Sequence, residues 1–319
     1  MYQELDPTIL CLQECNKNWS QYDNTEGPLR DTVNRRWPGA KVTTAHCREP
    51  TVFHGPHQPG GVAQMILRKL TGRVSSRGRD ELGCYTWQEV LLNGERKLII
   101  ITAYRVTQEH LAGCGHETSA MQQWRQLRAR GIDTPNPRQQ VLDDLTTFLS
   151  PLEADGHEIL LLLDANSPAD DPAIEAFLDA NNLHDLMSDY LPDTPPSTYQ
   201  RGRSKIDHAW GTIGILMALN GTGILPFGIG PRSDHAILYL DFSLSTLSGI
   251  TSESLHDPTH PSNRNLWSTD VKAAAKYTKL VKTSFEAENI AARITILLNR
   301  CNRTGRCTSD DERILNNID

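Results

Sequence analysis

Residues 158–168 read EILLLLDANSP: an isoleucine and four leucines in succession, then a carboxylate, an alanine, an amide and a Ser-Pro turn. An apolar run of that length closed by turn formers reads as a buried strand of an α/β sheet. Ending it on Asp164 and Asn166 is costly, because a charge taken out of water must find compensation. Taken singly, an Asp at a strand end is a turn residue or a helix cap. The weight of the observation depends on what the rest of the chain does.

The pattern recurs. TILCLQE (8–14), GVAQMILR (61–68), YTWQEVLL (85–92), KLIIITAYRV (97–106), KIDHAWGT (205–212) and HAILYLDFSL (235–244) are further apolar runs that read as strands. Glu14 ends the first, Asp207 followed by His208 lies inside another, and Asp234-His235 opens the last. Between them, PRQQVLDDLTTFLSPL (137–152) is apolar at 141, 142, 145, 148 and 149, and Pro137 opens it as a helix. DPAIEAFLDANNLHDLM (171–187) predicts a second helix with a proline in its first turn. Asn93-Gly94 between two strands signals a hairpin, so part of the sheet is antiparallel and a pure doubly wound fold is disfavoured. The expected architecture over residues 1–244 is a four-layer α/β sandwich, two mixed β-sheets face to face with helices outside. Residues 245–267, rich in Ser, Thr, Pro and His, read as a linker. Residues 268–319 read as a helical tail opened by the cap Ser268-Thr269-Asp270.

The bulk composition narrows the class. With 319 residues, 38% apolar and 22% charged, the chain has room for one large domain and an extension. It contains no apolar run of about 18 residues, so no membrane partner is expected. MYQELDPTILCLQEC (1–15) carries acids where a signal peptide carries bases, so secretion is not expected. A net charge of −7 counts against a passive nucleic-acid coat. It counts less against a metal enzyme, whose site is itself acidic. Seven cysteines, with no CxxC pair, give neither a zinc set nor an even disulfide framework, and suit a reduced intracellular chain; Cys301 and Cys307 could pair.

Carboxylates and one histidine carried to the same edge of a sandwich form an oxygen-rich pocket, which suits Mg²⁺ or Mn²⁺ better than zinc. The ordered motifs LQE (12–14), GGVA (60–63), TAYRV (102–106), LLDANSP (162–168), TYQRGRSKIDHAW (198–210) and GPRSDHAILYL (230–240) resemble the endonuclease/exonuclease/phosphatase superfamily, that of deoxyribonuclease I and exonuclease III. The likeness is nearest to the endonuclease domains of LINE-type retrotransposons. It implies a Mg²⁺-dependent phosphodiesterase, an endonuclease with DNA as its partner. Glu14 resembles the principal metal-binding Glu, and Asp234 the acid that completes the metal environment. Asp164 and Asn166 match an Asp-x-Asn pair that handles the attacking water and the phosphate. His235 matches the catalytic His, Asp207 the acid that orients it, and Tyr104 a phosphate-contacting Tyr. His208, on the opposite face from Asp207, reads as structural.

The resemblance has departures. The family's first strand, which carries an Asn ahead of the Glu motif, is expected to be missing, since only Met1 to Thr8 precede the Glu14 strand. Arg105-Val106 follow Tyr104 where a proline is frequent. Relatives also include phosphatases and lipid phosphodiesterases, so those substrates, and an inactive relic, stand as alternatives. The basic stretch 68–79, then Arg125, Arg128, Arg130 and Arg138, and Arg201, Arg203 and Lys205, read either as solvated surface or as phosphate contacts. Trp87 and Trp124 read either as core or as base-stacking groups. A retroelement enzyme would act in the nucleus, though no basic localisation run is evident.

Overall fold

The run around Leu160 sits in the interior of a six-stranded sheet. The computed structural model describes residues 7–21, 26–48, 55–92, 95–107, 118–229 and 233–248, with six further positions between 275 and 283. The chain divides into two units, Met1–Thr259 and His260–Asp319, and all three sheets lie in the first. The strands are β1 (Ile9–Leu12), β2 (Lys41–Ala45), β3 (Val62–Ile66), β4 (Val74–Arg79), β5 (Tyr85–Leu91) and β6 (Lys97–Tyr104). Then come β7 (Glu158–Asp164), β8 (His184–Asp185), β9 (Asp207–Gly211), β10 (Leu219–Ile224) and β11 (Leu238–Phe242). The helices are α1 (Gly27–Arg36), α2 (Ser119–Ala129), α3 (Pro137–Ala154), α4 (Pro172–Ala180), α5 (Ile213–Met217) and α6 (Leu244–Ser248).

The large sheet has the order β4-β5-β6-β7-β9-β8; a smaller one has the order β1-β3-β2, and β10 pairs with β11. Among the described residues only the large sheet is mixed, through the parallel β6–β7 pair. The smaller sheets are antiparallel throughout.

Alternation explains why the central strands are apolar at every position. Ile99, Ile101, Leu161 and Leu163 pack with Trp210 against Leu127 of α2, Leu142, Leu145 and Leu149 of α3, and Phe177 of α4. Leu98, Ile100 and Leu160 face the other way, onto Ile66 and Ile9, with Leu238, Leu240 and Phe242 of β11 packed on the same cluster. On the outer face of the small sheet, Leu10, Val42 and Met65 meet Leu29 and Val33 of α1. The layers are therefore helix, sheet, sheet, helix, and burial of each central Leu or Ile is worth about 1.5–3 kcal/mol.

Departures from the sequence reading have local causes. The helix expected over 171–187 stops at Ala180, because Asn182 takes φ +47° and the chain returns as β8. Its start is held by Asp171, whose side chain accepts from Ala173 N. α3 runs on to Ala154, past Pro151. β5 and β6 pair antiparallel from Tyr85↔Ala103 to Leu91↔Lys97, while Asn93 and Gly94 lie outside the described residues. α6 occupies the start of the expected linker, with Leu247 buried. The rest of 245–267 and most of the tail lie outside the described residues, as do Cys114, Cys301 and Cys307. Cys11, Cys15, Cys47 and Cys84 are free thiols, and no described helix is long and apolar enough to cross a membrane.

Candidate active site

Register brings the carboxylates together. Tyr104 ends β6 opposite Asp164 of β7, and Asp164 pairs with Asp207 at the start of β9. Three adjacent strands thus deliver their last or first residue to one edge. Glu14 arrives from the small sheet, two residues beyond β1, in the left-handed region at φ +48°. That bend is held by β3's approach: Cys15 N and Asn16 N donate to the carbonyls of Gly61 and Gly60, and Asn16 Oδ1 accepts from Gly60 N. Both glycines have positive φ, and a Cβ on Gly60 would lie 2.6 Å from Ser119 Oγ. The GGVA motif is thus the support that turns Glu14 toward the site.

Glu14, Asp164 and His235 each present a donor atom, and these lie within 4.8 Å of one another. His235 Nδ1 is 2.9 Å from Asp207 Oδ2 and 3.1 Å from Oδ1, so the Nδ1–H donates to the carboxylate. Asp207 is fixed by Thr198, whose Oγ1 accepts from Ile206 N and Asp207 N. The 198–200 segment also pairs with the histidine segment: Ala236 N donates to Thr198 O and Gln200 N to Asp234 O. Tyr199 lies with its ring 5.2 Å from the His235 ring.

The electrostatics follow from crowding. Burial raises Asp164 well above the usual carboxylate range, with the Asp207 charge adding to it and His235 opposing it. Glu14, although open to solvent on one side, is raised by desolvation too, with His235 opposing and Asp234 and Asp207 adding. Burial pulls His235 down, but its hydrogen bond to Asp207 and the charges of Asp207, Asp164 and Asp234 overcome that and hold it at about 9. The site is a set of carboxylates short of positive charge. The two carboxylates, Glu14 and Asp164, within 4.8 Å of one another, suit a divalent cation held about 2.0–2.6 Å from each oxygen.

The remaining expected residues surround this cluster. Asp164 Oδ1 accepts from Asn166 N. Asn166 sits at φ +47°, and its Nδ2 donates to Arg105 O, so one amide N–H is committed to the loop. Asp234 is half-buried and outside the three-donor cluster, contributing charge and its carbonyl. Tyr104 is buried among Ala45, Val62, Val106 and Ala120. His208 is buried and stacked on Trp210, with Nε2 at 2.9 Å from Ser167 O and Nδ1 at 3.3 Å from Lys205 Nζ.

Several basic residues turn out to have structural work. Arg77 and Arg79 donate to the carbonyls of Val42 and Thr44, and Arg79 pairs with Glu26. Arg128 pairs with Asp133 and Arg130 with Glu81. Lys205 is buried against Asp185 and His208, so it is not an exposed phosphate contact; Arg201 and Arg203 are exposed. Trp87 lies over Phe148 at 5.5 Å and against Gly78, a packing role. What sequence reasoning missed is the supporting role of Thr198, Tyr199 and the Arg105–Arg138–Ser167–Asp171 network: four of these residues lie inside the TAYRV, LLDANSP and TYQ motifs, Arg138 reads only as a basic residue and Asp171 only as a helix start, and nothing in one dimension joins them.

A four-layer α/β sandwich with an acidic, histidine-bearing edge is the architecture of a phosphoesterase class. The chain belongs to the Endonuclease/Exonuclease/phosphatase family, whose profile matches residues 1–235. Members of that family are hydrolases acting on phosphodiester bonds. Among solved structures, the AP endonuclease LMAP from Leishmania major is 13% identical, aligned over 75% of this chain and 79% of its own, with a TM-score of 0.50. The human Nocturnin catalytic domain is 18% identical over 76% and 83%, with a TM-score of 0.47. The 3′ phosphatase NExo from Neisseria, bound to product DNA hairpin, is 17% identical over 74% and 89%, with a TM-score of 0.48. No curated protein matches the chain.

Proposed function

We propose that this chain is a metal-dependent endonuclease that hydrolyses DNA phosphodiester bonds, of the retroelement type, with Mg²⁺ as its ion and Mn²⁺ as a substitute. The observation that carries the reading is the convergence of Glu14, Asp164 and His235 donor atoms within 4.8 Å, with Asp207 directly behind the imidazole. Glu14 is the residue that would hold the cation, with Asp234 completing its acidic environment and the Asp164 carboxylate beside it. When bound, the cation would polarise the phosphoryl oxygens and neutralise charge developing there. His235, kept protonated by Asp207, presents Nε2–H to a phosphoryl oxygen as an electrostatic clamp. Asp164 would orient and deprotonate the attacking water. The remaining N–H of Asn166 is a neutral donor for the phosphate, and the buried Tyr104 backs the strand end that carries it.

The test is nicking of supercoiled plasmid by the purified chain in Mg²⁺ and in EDTA, run beside phosphate release from a 3′-phosphorylated oligonucleotide. Relaxation of the plasmid in Mg²⁺ alone is the expected result. Phosphate release without nicking would replace the endonuclease reading with a phosphatase one.

A further inference from the structure

Beside the acidic edge lies a second feature of opposite sign. A cavity of about 630 Å³ is lined by Arg105, Arg138, Asp171, Asn136, Gln139 and Ala173, among others. Two helices begin at it: the 18-residue α3, capped by Asn136, and the nine-residue α4, capped by Asp171. Helix N-termini carry partial positive charge; here Pro137 and Pro172 lack an N–H and the caps Asn136 and Asp171 accept from Gln139 N and Ala173 N, so these ends offer the cavity their charge. Two guanidiniums stand against them with one carboxylate between: Asp171 Oδ2 is 3.5 Å from Arg105 Nη1 and 3.9 Å from Arg138 Nη2. The side chains on that wall therefore carry a net charge of plus one.

Arg105 is 4% exposed. Its Nε donates to Arg138 O and its Nη1 to Ser167 Oγ, and no described residue accepts from its Nη2. Arg138 donates to Val106 O, Asn166 O and Ser167 Oγ. Burial and the neighbouring Arg105 pull Arg138 down to about 10, with Asp171 offsetting only part. A buried arginine and a half-buried one beside a single counter-carboxylate leave this wall one negative charge short. The wall also adjoins the acidic edge directly: Arg105 N donates to Asp164 O, and Arg138 reaches the carbonyl of Asn166.

We propose that this cavity binds a backbone phosphate of the substrate next to the one being cut, held by Arg105 and Arg138 in the positive field of the N-termini of α3 and α4. The inference rests on the nuclease reading and adds a substrate subsite to it. It also resolves an apparent conflict in an acidic protein. The chain repels polyanions overall, so affinity must come from a few built contacts rather than from bulk charge.

Arg105 and Arg138 also hold the Asn166 loop, so the test works through Gln139, which lines the cavity and is exposed at the third position of α3. Binding of a labelled oligonucleotide is followed by fluorescence anisotropy in EDTA, where no cutting occurs, across a salt series. Gln139→Glu puts a negative charge in the cavity at a helix position that favours acids. Gln139→Lys does the reverse and can pair with Asp143, one turn on. The expected result is weaker binding by Q139E, with the slope of log affinity against log salt shallower by about 0.7–0.9. Q139K is expected to be steeper, and both should keep wild-type thermal stability. A methylphosphonate beside the scissile linkage should weaken binding to the wild type and add nothing to the loss in Q139E. Equal affinities and slopes for all three proteins, in a wild type that still nicks plasmid, would overturn the subsite alone. A wild type that neither binds nor nicks would overturn the nuclease reading with it.

Discussion

Acidification between pH 6.5 and 4 should destabilise this protein through His208. His208 Nε2–H donates to Ser167 O, which leaves Nδ1 as the acceptor for Lys205 Nζ. Protonation would place a second N–H against the ammonium and a charge in a buried stack with Trp210. Burial first, and Lys205 second, lower His208 from 6.5 to about 4. Because the folded value lies below the unfolded one, the unfolded chain takes up the proton first as pH falls. Stability from this group is complete above about 6.5, declines through the window and is gone below about 4. A depression of roughly 2.5 units corresponds to about 3 kcal/mol. His46 is lowered to about 4 by burial, with Arg48 and Arg79 adding, so total acid lability exceeds the His208 share. The variant His208→Gln keeps a donor for Ser167 O and removes the titration. Urea unfolding of both proteins in EDTA at pH 7, 6, 5 and 4 gives their difference in stability, in which all other groups cancel. The difference should shrink or reverse by about 3 kcal/mol between pH 7 and 4. A difference constant with pH, or an NMR titration of the His208 ring near its ordinary value, would refute the assignment.

Replacing Asp207 by Asn removes the charge that keeps His235 protonated at neutral pH, and nicking should slow by about 10²–10⁴-fold with little change in the thermal midpoint; an unaltered rate would show that the imidazole works without it. Leu145→Ala, at a position with no solvent exposure between α3 and the large sheet, should cost about 2–5 kcal/mol in urea unfolding without touching the acidic edge. Gly83→Ala should prevent normal folding, because φ is +74° and the added Cβ would sit 2.2 Å from Cys47 N; wild-type stability in that variant would mean the 83–84 approach is misplaced.

Much of this architecture was legible in the sequence because its signals are local and chemical. The unbroken ILLLL of β7 announces burial on both faces, and Pro137 and Asp171 mark helix starts that need a cap. Asp164, Asp207 and His235 stood out because polar groups closing apolar strands demand partners. Less legible were strands whose environment, not composition, makes them strands. KVTTA of β2, VSSRGR of β4 and LNGTGI of β10 hold few apolar residues and exist because a neighbour supplies the ladder. Charge was the least transferable signal. Lys205, Arg77 and Arg79 look like surface cations in one dimension, yet they close carbonyls and half-buried carboxylates in three. Tyr104 and Asp234 show the same limit: register sets Tyr104 opposite Asp164, and Asp234 lies beside His235 in sequence, but what each side chain touches depends on packing across the two sheets.

The central claim is that Glu14, Asp164 and His235, braced by Asp207, form one hydrolytic centre. It is tested most directly by plasmid nicking in Mg²⁺ with wild type and His235→Ala at equal concentration, each first shown to be folded by thermal unfolding. The account predicts nicking by the wild type and its loss in the variant. Equal nicking by a folded His235→Ala protein would contradict it, because the imidazole would then lie outside the chemistry.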